Sequence, residues 1–230
     1  MSVASSRWYS APKRALDVVA SGVAVLVLTP LLLPVMIALR LTGEGEVFYR
    51  QTRIGYQNAQ FGILKFATMQ RDSPNIGTGS LTVRGDPRVT RVGRPLRATK
   101  VNELPQLFNV LRGEMSFVGP RPQMRVDFDL YPAHVRERIY SVPPGVTGIG
   151  SIVFRDEEAL LSADGIDPRE FYASRIAPYK GELELWYLAH RSFLLDARLL
   201  ILTAWVILAP RSDIVYRTFP HLPAKPDWLG

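Results

Sequence analysis

Hydrophobic positions are unevenly spread along this chain. Ala15 to Leu39 are almost wholly apolar, ALDVVASGVAVLVLTPLLLPVMIAL, and follow the basic pair Lys13-Arg14. A helix rises about 1.5 Å per residue and about 20 apolar residues cross a bilayer, so the run is long enough to span. It is too long for the apolar region of a cleaved signal peptide, and no small-residue cleavage site follows it. Thr29-Pro30 and Pro34 fall in its second half. Each proline removes a helical hydrogen bond and bends the helix. Basic residues flank both ends, Lys13 and Arg14 before, Arg40 and Arg50 after. By the positive-inside rule both ends prefer the cytoplasm. The pattern predicts a kinked, re-entrant helix that dips into one leaflet and returns; a simple span and a buried core helix are the alternatives. The Thr29 hydroxyl is expected to partner a backbone group freed at the kink.

Phe48 to Met69 carries short alternating or apolar runs split by Gly55 and Asn58, the pattern of a hairpin or two short strands. Arg71 to Arg88 is rich in Gly, Pro, Ser and Asp and predicts loop. From Arg88 a basic residue recurs every third position, at Arg91, Arg94, Arg97 and Lys100, either a solvated charged face or an anion site. Asn102 is placed to cap a helix from about Glu103 to Arg112, with Pro105 in its first turn and Gly113 ending it. Leu104, Leu107, Phe108 and Leu111 fit the helical period and are expected to face the core. The helix start suits a phosphate and favours Glu103 as an anion. Gly119-Pro-Arg-Pro122 then fixes the backbone around Arg121, which suits a guanidinium that must meet phosphate oxygens in a set pose. Arg125 to Tyr140 reads as helical, and Pro143 to Gly150 as a loop leading to the acidic run Asp156-Glu157-Glu158. Residues 167–209 read as two further helices. The last of these, about Phe193 to Leu208, is short for a span and contains Asp196 and Arg198, so it reads as interfacial or core-packed. Trp186, Tyr187 and Trp205 suit headgroup depth or a core equally.

With 230 residues the chain can bury a real core. Hydrophobic content of 47% and charged content of 21% are globular, so lipid contact must be local. The charge of +7 favours nucleic acid, anionic lipid or phosphorylated ligands. The absence of Cys excludes disulfides and thiolate zinc sites. His134, His190 and His221 are scattered, which leaves only a hard divalent ion on oxygen ligands as a candidate metal. Basic residues are not interleaved with aromatics and no recognition motif appears, so nucleic acid is not an expected partner.

Several blocks together resemble one family, the bacterial sugar transferases of the monotopic phosphoglycosyl transferase superfamily. They are KRALD at 13–17, VFYRQTRIG at 47–55, LKFATM at 64–69, DPRVTRVGRPLRAT at 86–99, NELPQLFNVLRGEMSFVGPRP at 102–122, PPGVTGIGS at 143–151 and RSFLLDARLLILT at 191–203. The resemblance implies an α+β, mainly helical fold. It comprises a re-entrant membrane helix in residues 1–41, a small cytoplasmic-face catalytic domain with a short β-hairpin and amphipathic interfacial helices in 42–209, and a tail in 210–230. It implies an enzyme of the bacterial inner membrane that moves a sugar-1-phosphate from a UDP-sugar to a polyprenyl phosphate such as undecaprenyl phosphate, releasing UMP, with Mg²⁺ required. Family members use an Asp-Glu pair whose Asp attacks the β-phosphate. Carried over, the second acid and metal ligand is Glu103, the phosphate-binding arginines are Arg97 and Arg121, and Lys65 matches a basic strand position. Arg88 joins them as a candidate for phosphate binding. Membrane lipid is an implied partner, and broad apolar surfaces at both ends allow a homodimer.

Two departures stand out. Asn102 occupies the position of the nucleophilic Asp, and an amide is neither a usable nucleophile nor an anionic ligand. Ala67 stands where the strand block usually has Arg. Three accounts of Asn102 remain open: Glu103 or an acid from Asp156 to Glu158 takes over as nucleophile or metal ligand, the branch binds the same ligands but runs a different reaction such as single displacement, or the protein is inactive or the Asn an engineered isostere.

Overall fold

The computed structural model describes residues 3–229 apart from 43, 74–75, 77–80, 84, 164 and 210–212, and only the backbone of residues 3–10. The first element, α1 (Val3–Leu41), runs through Pro12, Pro30 and Pro34 without a break. The Thr29 hydroxyl bonds back to the carbonyl of Val25 at 2.6 Å, one residue before the carbonyl that Pro30 deprives of its amide. Only 6% of the most apolar stretch of this helix is buried, which overturns the buried-core alternative. The first half of α1 is docked through residues 13–17. Lys13 donates to Asp196 at 2.6 Å, Arg14 donates to the carbonyls of Val110 and Leu111, and Asp17 accepts from the Phe117 amide. Both charges read as a cytoplasmic flank are thus engaged inside the fold.

The predicted hairpin is present: β1 (Phe48–Ile54) pairs antiparallel with β2 (Gln60–Phe66), register Tyr49 to Lys65 and Gln51 to Ile63. Gln57 and Asn58 take positive φ in its turn. Next come α2 (Gly93–Ala98), a 3-10 turn (Val101–Gln106) and α3 (Leu107–Arg112). The expected continuous helix from Glu103 is therefore split, because Pro105 has no amide for an α-helical bond and Lys100 enters in the left-handed region at φ 61°. Asn102 lies inside the turn and caps nothing. Gly113 ends α3 at φ 85°, as expected. Its core side also differs: Leu107 and Val110 are buried, Leu104 and Leu111 half-buried, and Phe108 is 40% exposed. The wholly buried Asn109 decides the orientation, since its amide accepts from Leu64 N at 2.9 Å and donates to Gly62 O at 2.8 Å, tying α3 to β2.

The segment after Pro122 is two short helices, α4 (Arg125–Phe128) and α5 (Ala133–Arg136), because Pro132 interrupts the expected single one. The PPGVTGIG stretch is not loop throughout. Within it β4 (Gly145–Thr147) runs parallel to β3 (Ser116–Val118), and α6 (Ile149–Val153) follows. The two strands meet at Gly119 and Gly145, where a Cβ on Gly145 would fall 2.2 Å from Gly119 N. Then come α7 (Glu157–Leu160) and α8 (Pro168–Phe171), which passes through a π-helical turn into α9 (Ala177–His190), followed by α10 (Phe193–Leu208) and α11 (Ile214–Thr218). Among the described residues the protein is mostly helical with two small two-stranded sheets.

The main core gathers Val118, Tyr140, Ile149, Leu183, Tyr187 and Leu199, and each fully buried Leu or Ile contributes about 1.5–3 kcal/mol. Val215, Phe219 and Leu222 fold back onto it. One face of α10 is in this core through Leu195, Leu199, Leu202 and Val206, while Ile201, Trp205 and Leu208 are exposed. Tyr187 is buried and bonds Asp196 at 2.9 Å; Trp186 packs on Phe219. Asp196 is buried because Lys13 and Tyr187 both meet it.

Candidate active site

Four elements converge on one cleft of about 1120 Å³. The 3-10 turn brings Asn102 and Glu103, the turn after β3 brings Arg121, the hairpin face brings Gln51, Arg53 and Lys65, and the end of α2 brings Arg97. Period-two alternation puts Tyr49, Gln51 and Arg53 on one face of β1, and the register sets Lys65 beside Tyr49.

Arg121 and Glu103 form a two-pronged pair, Nη1 to Oε2 at 3.1 Å and Nη2 to Oε1 at 2.5 Å. The arginine backbone is clamped as well. Tyr140 donates its hydroxyl to Arg121 O at 2.8 Å and accepts from Gln123 N at 2.9 Å, while Arg53 donates to Pro122 O. Below the turn, the buried Glu184 of α9 accepts from Arg121 N at 3.5 Å and from Gly150 N. Its Oε2 has no hydrogen-bond partner among the described residues. Burial pushes the Glu184 carboxyl up to about 8, against the opposing pull of the Arg121 amide and Lys180.

Burial also works against the charged form of Glu103, yet Arg121, with Lys65 and Lys100 behind it, holds that carboxyl well below the usual range. The Glu103 charge in turn raises Arg121. Burial, reinforced by Arg53, lowers the Lys65 ammonium well below its ordinary value, and burial lowers Lys100 too. Glu103 thus sits among Arg53, Lys65, Lys100 and Arg121, with Asp127 acting on Arg53, Glu157 on Arg121 and Glu158 on Lys100 from the same cleft. Basic side chains still outnumber carboxylates in the lining, an arrangement that calls for a further anion.

Of the residues singled out in the sequence, Asn102, Glu103, Lys65, Arg97 and Arg121 line this cleft together. Arg97 donates to Glu158 at 2.7 Å. Arg88 reaches the cleft lining too, but its guanidinium is engaged elsewhere. It pairs with both oxygens of Asp86 and donates to the carbonyls of Ser73, Ile76 and Leu81, and it is only 3% exposed. Its hydrogen bonds go to Asp86 and to the loop it organises. The acidic run divides as well, with Glu157 on the buried Lys180 and Glu158 on Arg97.

Sequence reasoning missed Arg53, Gln51, Lys180 and Glu184. Strand alternation in VFYRQTRIG held a signal for the first two, whereas nothing local marks Glu184. Among the described residues no group of three or more His, Asp or Glu could hold a metal. Magnesium needs less than that, since it keeps waters and takes substrate phosphates alongside one or two protein oxygens. Glu103 and the buried Asn102 Oδ1, which has no partner among the described residues, supply such a donor set, so the residues present fit the ion.

Fold and site together define a mainly helical domain that has, among the described residues, one helix long and apolar enough to cross a membrane, and a cationic cleft that holds the Glu103–Arg121 pair. The chain belongs to the bacterial sugar transferase family, whose model matches residues 8–210. It is 43% identical over 164 residues to an undecaprenyl-phosphate glucose phosphotransferase of Komagataeibacter xylinus, covering 66% of this chain and 31% of that protein. It is 46% identical over 144 residues to a UDP-glucose:undecaprenyl-phosphate glucose-1-phosphate transferase of Caulobacter vibrioides, covering 61% and 53%. The exopolysaccharide production protein ExoY of Rhizobium meliloti is 35% identical over 173 residues, covering 67% and 74%. The matches thus span about a third to a half of the length of the first two relatives.

Proposed function

We propose that this protein transfers a sugar-1-phosphate from a UDP-sugar to a polyprenyl phosphate, undecaprenyl phosphate in the cell, as the first membrane step of polysaccharide synthesis. The observation that carries the reading is the Glu103–Arg121 pair set among Arg53, Lys65 and Lys100. Phosphoryl transfer needs charge neutralisation around an in-line attack, which such a cluster supplies. Magnesium, when bound at Glu103 and Asn102, supplies further neutralisation of the diphosphate.

Asn102 and the clamped Glu103 favour a single displacement over a covalent intermediate. An amide does not attack, and a carboxylate held so far below its usual range is a weak nucleophile. An oxygen of the polyprenyl phosphate then attacks the sugar-bearing β-phosphorus, the bond from that phosphorus to the bridging oxygen breaks, and UMP leaves with that oxygen. Arg121, Arg53 and Lys65 hold the diphosphate and offset the charge on the leaving phosphate.

Two separate stretches of α1 pack on the same domain, Lys13 and Asp17 in its first half and Leu39 against Phe66 and Leu96 in its last turn. This supports a re-entrant helix lying along the domain, with both ends and the active site at the cytoplasmic face of the inner membrane. Because the chain has no Cys, single-cysteine variants at Ala11 and Thr42 are clean reporters. An impermeant reagent should label both from one side, and labelling from opposite sides would establish a span.

The decisive assay is UMP release by detergent-extracted protein across a panel of UDP-sugars, with and without polyprenyl phosphate and Mg²⁺. Release that depends on all three is expected, and is lost in Glu103→Gln. No release from any UDP-sugar would reject the transfer reading. Incubation with UDP-sugar and no lipid should leave the intact mass unchanged; a sugar-phosphate adduct on Glu103 would replace single displacement with a covalent route.

A further inference from the structure

Beyond Glu103 the wall of the cleft changes character. Leu104 follows the carboxylate directly, and with Leu107, Phe117, Val146, Val206 and Ile207 it lines the same cleft with apolar surface. Phe117 and Val146 sit together over the cluster of Ile63, Val110 and Met115. Two hydroxyls beside this wall are already used, Thr147 on Thr203 at 2.7 Å and Thr203 on the Leu199 carbonyl at 2.7 Å. Of the two α10 residues in this wall, Val206 is 3% exposed and Ile207 38%, so the wall has a buried floor and an open edge. It is also stitched to the apolar helix: the Phe117 amide donates to Asp17, and Lys13 of α1 holds Asp196 of α10.

A nucleotide sugar is polar along its diphosphate and sugar and has only the face of its base to stack on such a wall. A polyprenyl phosphate is a single anion attached directly to branched hydrocarbon, and it needs cations and an apolar channel side by side. We propose that the apolar arm bounded by Leu104, Phe117, Val146, Val206 and Ile207 holds the first isoprene units of the lipid substrate, with its phosphate at the Glu103–Arg121 end. The nucleotide sugar is then left the hairpin side of the cleft. The inference rests on the transfer reading and assigns that reaction a lipid subsite against β3, β4 and α10.

The test is photolabelling of the full-length detergent-solubilised protein with farnesyl phosphate carrying a diazirine on its first isoprene unit. Label is expected on residues 104–107 or 203–207, and undecaprenyl phosphate should compete it away. In Ile207→Asp, a charge facing the arm should cut labelling and raise KM for polyprenyl phosphate about ten-fold, leaving KM for the UDP-sugar unchanged. Ile201→Asp, on an exposed face of α10, should behave as wild type. Label confined to α1 or to the hairpin, or an equal effect of Ile201→Asp, would overturn the subsite. Labelling needs no turnover. A protein inactive with every UDP-sugar yet labelled competitively at 203–207 would sink the transfer reading and leave the subsite standing.

Discussion

Two arginine–carboxylate pairs in this protein look alike as pairs and differ in everything around them. Arg88 grips both oxygens of Asp86, and its remaining donors meet the carbonyls of Ser73, Ile76 and Leu81. Arg121 grips both oxygens of Glu103, yet that pair faces a large cleft with Arg53, Lys65 and Lys100 beside it. The first is closed by backbone and contains equal and opposite charge. The second carries surplus positive charge in a partly dry place, with side-chain exposure of 27% for Arg121 and 13% for Glu103. Pair geometry therefore does not distinguish a structural clamp from an anion site; the unpaired charge around it does.

Substitutions that separate these two roles break or sharpen the comparison. The largest effect is expected from Arg121→Ala, which should lower UMP release by about 10³-fold or more, the scale at which a transition-state arginine acts in phosphoryl transfer. A loss of less than ten-fold would place Arg121 outside the reaction. Arg88→Ala is expected to act on stability instead, by about 3–5 kcal/mol in urea denaturation, because it strands a buried Asp86 and three carbonyls. If it folds normally and only loses activity, Arg88 stays on the list of phosphate ligands.

Glu184 supplies an intermediate effect through pH. Its carboxyl is raised from 4.5 to about 8 in the folded protein, so the native state holds a proton that the unfolded chain has released. Its contribution to stability is fully present below pH 4.5 and declines as pH rises to about 8, with a slope of up to about 1.4 kcal/mol per pH unit. Denaturant midpoints measured from pH 5 to 8 should show that decline, and Glu184→Gln should flatten it. An unchanged slope in the variant would assign the decline to another group. The smallest effect is expected at a third pair, Arg125 with Asp129, which is exposed on both sides at 65% and 40%. Arg125→Ala should shift stability by less than about 1 kcal/mol, as surface ion pairs do.

The parts of this fold that were legible in the sequence are those where local chemistry has one outcome. Alternation in VFYRQTRI and QFGILKF gives a hairpin whichever way the rest packs, and Gly113 ends α3 because few other residues enter its left-handed conformation easily. The ordered blocks around NELPQ and GPRP also identified the family. Local patterns failed where two segments distant in sequence had to meet. The β3–β4 pairing depends on Gly119 approaching Gly145 from 26 positions away. Asn109 reads as an ordinary helix residue until β2 supplies its partners. The basic series from Arg88 to Lys100 was the hardest to resolve, since equal spacing concealed different fates: Arg88 in a closed pair, Arg97 on Glu158, and Lys100 near Glu103.

By itself the sequence determined the family, the long apolar helix, the hairpin, and the presence of one acid and one rigidly held arginine in the segment from Asn102 to Pro122. Those features rest on short-range physics: hydrophobic runs, turn residues and the fixed φ of proline. Only the tertiary structure decided which charges face the cleft, that Lys13 and Arg14 dock α1 onto α10 and α3, and that Glu184 lies beneath the Arg121 turn. A charge is neutralised by whatever lies within a few ångströms of it, and that neighbour is set by packing, not by position along the chain.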